Sequence, residues 1–278
     1  MAVKIVTDSA GDLTQAQTSE LGITVVPLTI RFGNDEYTDG VELSAEAFYA
    51  KMAELDVLPA TAAPSPGAFE EAFRKAGADG DAVVCINLSS ALSATMHSAV
   101  TAAEAIGNDL DVRVIDSVSI TAGQGRQVLA AARAAADGAS ADDVAALVAD
   151  LSARTRIYGT LDTLDNLKKG GRIGGAQAML GSMLSIKPLI DISSGTVTEA
   201  GKQRTRRKAM VWLRDLLFEQ PDLDEVAVCN GGADDVEDLI QLLLPRYERE
   251  QLSTWTVGPV IGAHGGPRVV GLSWQQPD

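Results

Sequence analysis

Ala82-Val83-Val84-Cys85-Ile86-Asn87-Leu88 is apolar at all but one of its seven positions, and it breaks at Ser89-Ser90-Ala91-Leu92-Ser93-Ala94-Thr95 into an alanine-rich stretch ending at Ile106. A run this apolar and this rich in branched side chains suits a strand buried on both faces, as in a parallel sheet covered by helices. The serine-rich break then reads as a strand-to-helix turn, with a helix expected over Ala94–Ile106. Close-packed alanines on that helix fit a layered α/β interior.

The same alternation continues on both sides. Strands are expected at Lys4–Thr7, Thr24–Phe32 and Val112–Asp116, with a turn at Gly33-Asn34-Asp35 and a short return strand at Glu36-Tyr37. Ser44 suits the cap of a helix through Leu55, and Pro59 to Pro66 is too proline-rich for either element and reads as an ordered loop. Further helices are expected at Gly67–Ala76, Ala122–Asp137 and Ala141–Arg154, the last opened by Ser140 with Asp143 in a capping-box arrangement. A second block follows, with strands at Arg156–Leu161, Lys187–Ile192, Thr196–Glu199, Glu225–Val228, Ser253–Val257 and Val269–Trp274, and helices at Ala176–Leu184, Thr205–Phe218 and Asp234–Leu244. The Ser193-Ser194-Gly195 turn before Thr196 implies an antiparallel pair, so the second sheet should be mixed. The expected architecture is α/β in two domains: residues 1–155, mostly a parallel sheet flanked by helices, and residues 156–278, a mixed sheet with helices.

Composition narrows the function. A formal net charge of -15 opposes nucleic acid and anionic lipid surfaces. Met1-Ala2-Val3-Lys4 enters a strand pattern without the features of a secretory signal, so a cytoplasmic protein is expected. Cys85 and Cys229 both lie in apolar strand patterns and read as buried free thiols, and two histidines, His97 and His264, cannot support a histidine-rich metal site. No metal or cofactor is expected.

In an open α/β sheet, ligands bind beyond the carboxyl ends of strands. Four such places stand out. Thr7-Asp8-Ser9-Ala10-Gly11-Asp12-Leu13 offers short polar residues that serve either as caps and Asx-turns or as ligand contacts. The Ser89–Thr95 loop offers hydroxyls and the free N–H groups of a new helix, which suit a phosphate or a carboxylate as well as a simple cap at Ser93. Thr61 sits in a proline-bounded segment that could aim its hydroxyl at a site. Gly258 to Pro267 is a glycine-rich loop in which His264 is the side chain expected to titrate near neutrality. Two basic clusters complete the set, Lys168-Lys169-Gly170-Gly171-Arg172 beside a flexible diglycine and Lys202 to Lys208 at a helix start, where cations oppose the helix dipole unless an anion lies near.

Taken together and in this order, these segments resemble the DegV family of bacterial fatty-acid-binding proteins, the carrier subunits of fatty acid kinase. The matching motifs are Thr7-Asp8-Ser9 with Asp12-Leu13, Thr61 with Pro64, Leu88 to Thr95, Asp116-Ser117, Leu161 to Leu164, Lys168 to Ile173, Lys187-Pro188 and Gly262 to Pro267. The resemblance implies two α/β domains with a long-chain fatty acid between them, its chain in an apolar tunnel. It further implies that Thr61 and Ser93, with the Ala94 and Thr95 backbone N–H groups, bind the carboxylate. A separate ATP-dependent kinase subunit would phosphorylate that carboxylate, with Arg172 facing the kinase and Arg204 (or Arg206) and His264 facing the phosphoryl group. The protein itself would be a carrier rather than an enzyme, touching membranes only transiently. This sequence departs from the family pattern at Ala62-Ala63 in place of Ser-Gln, Ala94 in place of Gly, Met96-His97 in place of Tyr-Gln, and Arg268 in place of a Gly. His97 should face the outside of its helix.

Two other functions compete. A phosphotransferase acting on a small phosphorylated or hydroxylated metabolite would use the same phosphate-friendly loops, although no Gly-Lys-Ser/Thr loop or Mg²⁺-binding carboxylate cluster is apparent. A regulatory module binding another small acid would need only a short pocket.

Overall fold

The computed structural model describes residues 2–55, 57–180 and 186–277. In the first half, β1 (Val3–Asp8) passes through a 3-10 turn at Ser9–Gly11 to α1 (Gln15–Glu20), then to β2 (Thr24–Val26), β3 (Thr29–Phe32) and β4 (Asp35–Thr38). There follow α2 (Ala45–Glu54), β5 (Ala60–Ala62), α3 (Pro66–Ala76), β6 (Ala82–Asn87), α4 (Thr95–Ile106), β7 (Val112–Asp116), α5 (Thr121–Ala136) and α6 (Ala141–Arg154). The second half runs β8 (Thr155–Thr160), α7 (Asp165–Lys169), β9 (Lys187–Asp191), β10 (Thr198–Gln203), α8 (Arg206–Phe218), β11 (Val226–Gly231), α9 (Val236–Leu243), β12 (Leu252–Thr256), α10 (Pro259–Gly265) and β13 (Val269–Gln275).

β2-β1-β6-β7 form a wholly parallel sheet, and β10-β9-β8-β13-β11-β12 form a mixed one in which only β11 and β12 run parallel. Every residue of β6 is buried, as its apolar run up to the polar but buried Asn87 implies. A small antiparallel sheet, β4-β3-β5, stands apart from both. α6 passes directly into β8 at Thr155, and one hydrophobic cluster joins Val84 and Val128 of the first half to Cys229, Trp255 and Val257 of the second. α5 is the central packing element: a Cβ on Gly125 would stand 2.4 Å from the Gly11 carbonyl and 2.5 Å from the Trp255 ring. Alanines and glycines on that helix let the two halves approach closely.

Several expectations need correction. The strand expected over Thr24–Phe32 is two strands in different sheets, because Pro27 between them has no N–H to give a ladder and the Leu28 N–H is taken by the Ser9 hydroxyl at 3.0 Å. The proline-rich loop contains β5, whose Thr61 pairs with Ile30 of β3. Gly258 to Pro267 is no loop but holds helix α10, entered through Pro259 at its first turn. Its Gly262 is required by space, since a Cβ there would meet the Tyr49 hydroxyl at 2.6 Å. The helix expected over Ala176–Leu184 is a 3-10 helix at Gly174–Met179, tied down by the Gly175 N–H on the Val197 carbonyl at 2.8 Å, and residues 181–184 of that expectation lie outside the described residues. The same bond occupies Val197, so the return strand starts at Thr198 rather than Thr196. Cys85 and Cys229 are buried and free.

Candidate functional site

The loop after β6 is held from both halves of the chain. Asp8, at the end of β1, accepts the Leu88 N–H at 2.7 Å and the Ala10 N–H at 2.9 Å, while Asp116, at the end of β7, accepts the Ser90 N–H at 3.1 Å. From the second half, Arg172 donates its Nε–H to the Leu92 carbonyl at 3.0 Å, and the Ser89 hydroxyl donates to the Gly195 carbonyl at 2.6 Å. The Thr7-Asp8-Ser9 motif therefore holds the loop after β6 in place, and none of its three residues lines the cavity beside that loop. Burial lifts the Asp8 carboxyl to about 6 against hydrogen bonds from Gln124, Leu88 and Ala10 that favour its charge.

That loop, β5, the segment after α7 and α10 surround one cavity with about 860 Å³ of empty space, its open mouth included. Its walls are mainly Leu, Ile and Val, among them Leu28, Leu88, Ile157, Ile190 and Val260. The polar exceptions include Thr61, Ser93, Arg172 and His264, four residues from four distant segments. A shallower groove opens beside it, sharing Leu92, Ser93, Arg172 and Val197.

Thr61 Oγ1 lies 2.9 Å from His264 Nε2. Burial, with the Arg172 charge adding to it, pushes the His264 pKa down to about 4, so the imidazole is neutral at physiological pH. The expectation of a histidine titrating near neutrality is thereby corrected: α10 carries the ring inward, away from water. Asn166 of α7 holds the helix by donating to the Ala263 carbonyl at 3.2 Å, and the Tyr49 hydroxyl holds its approach by donating to the Val257 carbonyl at 3.0 Å. The diglycine is not simply flexible: Gly171 adopts φ +71, and a Cβ on Gly170 would stand 2.4 Å from His264 Nδ1.

Ser93 is part of the cavity wall, but its hydroxyl has local partners too. It contacts Thr95 Oγ1 at 2.9 Å and accepts the Thr95 N–H at 3.3 Å, while Ala94 is the exposed N-cap residue of α4 without a side-chain cap. Thr95 is fully buried, and His97 faces outward. Arg172 also donates to the Gly170 carbonyl at 2.7 Å, which fixes its guanidinium between the cavity and the groove.

Arg204 lies away from this group. It is exposed between β10 and α8, does not line the cavity, and forms no ion pair among the described residues. Arg206 is engaged in a bidentate pair with Asp235 at 2.6 and 2.8 Å, and Arg268, the family-atypical cation, pairs with Asp234 and Asp235. Neither is free for a ligand in this arrangement. Sequence reading missed Tyr49 and Asn166, because their roles are contacts to segments far along the chain, and it read Gly170 only as part of a flexible diglycine. It also missed Thr121, which lines the cavity from the start of α5. A non-glycine, β-branched residue at φ +41 leaves no mark in a one-dimensional pattern.

Among the described residues, no helix is long and apolar enough to cross a membrane, and no group of three His, Cys, Asp or Glu side chains could hold a metal.

The sequence profile of the DegV family, described as uncharacterised proteins, matches residues 2–276. A DegV domain-containing protein of Deinococcus radiodurans is 33% identical over 277 residues, covering 98% of each chain. The fold superposes with a TM-score of 0.90 on a DegV family protein from Thermus thermophilus described for its fatty acid binding, at 31% identity and full coverage of both chains. A stearic-acid-binding protein from Eubacterium ventriosum superposes with a TM-score of 0.87 at 29% identity, over 99% of this chain and 98% of the other.

Proposed function

The chain belongs to the DegV family, and from that premise we propose that it binds one long-chain fatty acid and presents the carboxylate to a separate ATP-dependent kinase subunit. The observation that carries the binding reading is an apolar cavity with Thr61, Ser93, Arg172 and His264 in its wall. An acyl chain has a strong reason to enter, since each buried CH₂ contributes roughly 0.8 kcal/mol. The solved relatives named for fatty acid or stearic acid binding support the same ligand class.

In this reading the carboxylate sits against the Thr61 and Ser93 hydroxyls and the backbone at Ala94 and Thr95. With its proton on Nε2, His264 donates to Thr61 Oγ1 and leaves the threonine proton for the carboxylate. A carboxylate taken out of water needs several such donors, and Arg172 at the mouth adds a positive field. Presentation to the kinase rests on the family resemblance. Arg172 is assigned to the kinase-facing groove, while Arg204 and His264 are assigned to the phosphoryl group. His264 would act there as a neutral hydrogen-bond donor rather than as a cation, and exposed Arg204 would come into play once a partner covers it. Residues 1–155 and 156–278 are proposed as the two domains that close around the chain, with no cofactor besides the acid itself.

Mass spectrometry of the purified protein under native and denaturing conditions tests this function. The expected result is an added mass of one long-chain fatty acid, lost in the Thr61→Ala/Ser93→Ala double variant. Mixing with a kinase subunit and ATP should then yield acyl phosphate, while the protein alone leaves ATP intact. A protein that takes up neither stearate nor oleate, or that turns over ATP unaided, would return the phosphotransferase reading to first place.

A further inference from the structure

The cavity has a second polar place that the carboxylate seat does not use. Thr121, the first residue of α5, lines the cavity, is 3% exposed, and has a hydroxyl with no hydrogen-bond partner. Next to it, Oδ2 of Asp12 is also buried and unpartnered, and the Asp12 carboxyl lies close enough to the Thr121 hydroxyl and the Gly258 N–H for both to favour its charged form. Buried polar atoms carry a desolvation penalty unless something bonds them. Thr121 also holds φ +41, a strained conformation for a β-branched residue that persists only when its surroundings enforce it.

The position of the pair follows from α10. Asp12 packs on Gly258 at the N-terminal end of that helix, and His264 lies near its C-terminal end. Six residues of helical rise separate the two by roughly 9 Å. A chain whose carboxylate is seated at Thr61 and His264 would pass Thr121 partway along its length, with methylenes still to follow.

We propose that Thr121, backed by Asp12, is a specificity-determining station that receives a hydroxyl carried in the middle of the acyl chain, so that the ligand class includes hydroxylated long-chain fatty acids. This inference rests on the fatty acid reading above. A ligand hydroxyl can both donate and accept, and so can the Thr121 hydroxyl that lines the cavity, with Asp12 behind it to orient its proton. The buried Asp12 carboxyl, held well above the usual carboxylate range mainly by desolvation, retains a proton that it can share. An unsubstituted chain gives the Thr121 hydroxyl no ligand partner in the cavity, and a site built around a hydroxyl discriminates against a ligand that lacks it.

The test is calorimetric titration of the full-length, delipidated protein with stearate, with a hydroxystearate carrying its hydroxyl at mid-chain, and with ω-hydroxystearate. The mid-chain acid is expected to bind roughly tenfold more tightly than stearate, and the ω-hydroxy acid no more tightly than stearate. Thr121→Ser should keep the preference and Thr121→Ala should abolish it. The wild-type comparison decides the matter even where Thr121→Ala does not fold. Stearate binding with no preference for the mid-chain hydroxyl, or a preference that survives Thr121→Ala, overturns the inference and leaves the fatty acid reading standing. Failure of all three acids to bind overturns both.

Discussion

Thr61 Oγ1 and His264 Nε2 stand 2.9 Å apart although 203 residues separate them in sequence. The contact joins β5 of a small peripheral sheet to α10, and Gly170 closes the other side of the imidazole, where a Cβ would stand 2.4 Å from Nδ1. A donor, a neutral ring and a glycine backstop thus form one unit.

The backstop gives the first prediction. Gly170 has an ordinary helical φ of -76, so alanine there is not strained by its backbone, but its methyl group must push His264 away from Thr61. Gly170→Ala should weaken stearate binding roughly tenfold while leaving the thermal midpoint within a few degrees of wild type. Calorimetry paired with a thermal melt checks this, and unchanged affinity would show that the carboxylate seat does not depend on His264.

The second prediction concerns the charge on that ring. Desolvation is the main cause that holds His264 near 4, with Arg172 second. Arg172→Gln should therefore raise the His264 pKa measurably yet leave it below 6.5. NMR titration of the two histidines follows it directly, since His97 is exposed and His264 is not. A shift all the way to 6.5 would make Arg172, not burial, the dominant cause.

Buried carboxyls give the third. Asp8 and Asp39 are raised by desolvation from 3.8 to about 6, so between those values the folded state keeps protons that the unfolded chain releases. Their contribution to stability falls as pH rises through this window, and the cost is complete above about 6. His264 works in the opposite direction, because from 6.5 down to about 4 the unfolded chain takes up a proton that the folded state refuses. Asp12, raised further still by burial, acts with Asp8 and Asp39, while the lowered Asp235 acts with His264, so the raised buried carboxyls impose a stability slope that falls as pH rises. Asp39→Asn should flatten that slope and stabilise the protein at neutral pH by on the order of 2 kcal/mol, read from urea melts at a series of pH values. A slope identical to wild type would mean that Asp39 ionises in the fold as it does in water.

Neighbouring arginines should separate structure from function. Arg206 is bound by Asp235 in a bidentate pair with side chains only 13% and 22% exposed, so Arg206→Ala should cost about 2 kcal/mol or more. Exposed Arg204 has no such partner, and Arg204→Ala should change stability by less than about 0.5 kcal/mol. On the proposed role it should still lower acyl-phosphate yield with a kinase subunit at unchanged stearate affinity. Loss of stearate affinity in Arg204→Ala would instead make that residue part of the seat.

Much of the scaffold was legible from local pattern. The largely apolar run at β6, the Ser140 capping box of α6 and the Gly33 turn before β4 each follow from interactions within a few residues, which is why their positions could be read directly. The exceptions were equally physical. Pro27 divides what looked like one strand, and α10 forms in a glycine-rich segment because Pro259 starts it and Tyr49 needs the space at Gly262.

Spacing and hydroxyl or N–H chemistry are local properties, and they were enough to read the alternating strand and helix pattern, the mixed second sheet, and the residue types able to meet a carboxylate. Which of them share a cavity depends on long-range packing. It brought Thr61 to His264, committed Arg206 and Arg268 to Asp235 while leaving Arg204 in solvent, and turned Thr121 toward Asp12. It also made His264 neutral, because the pKa of a side chain is set by the water and charge around it, and those are supplied by segments the local sequence does not contain.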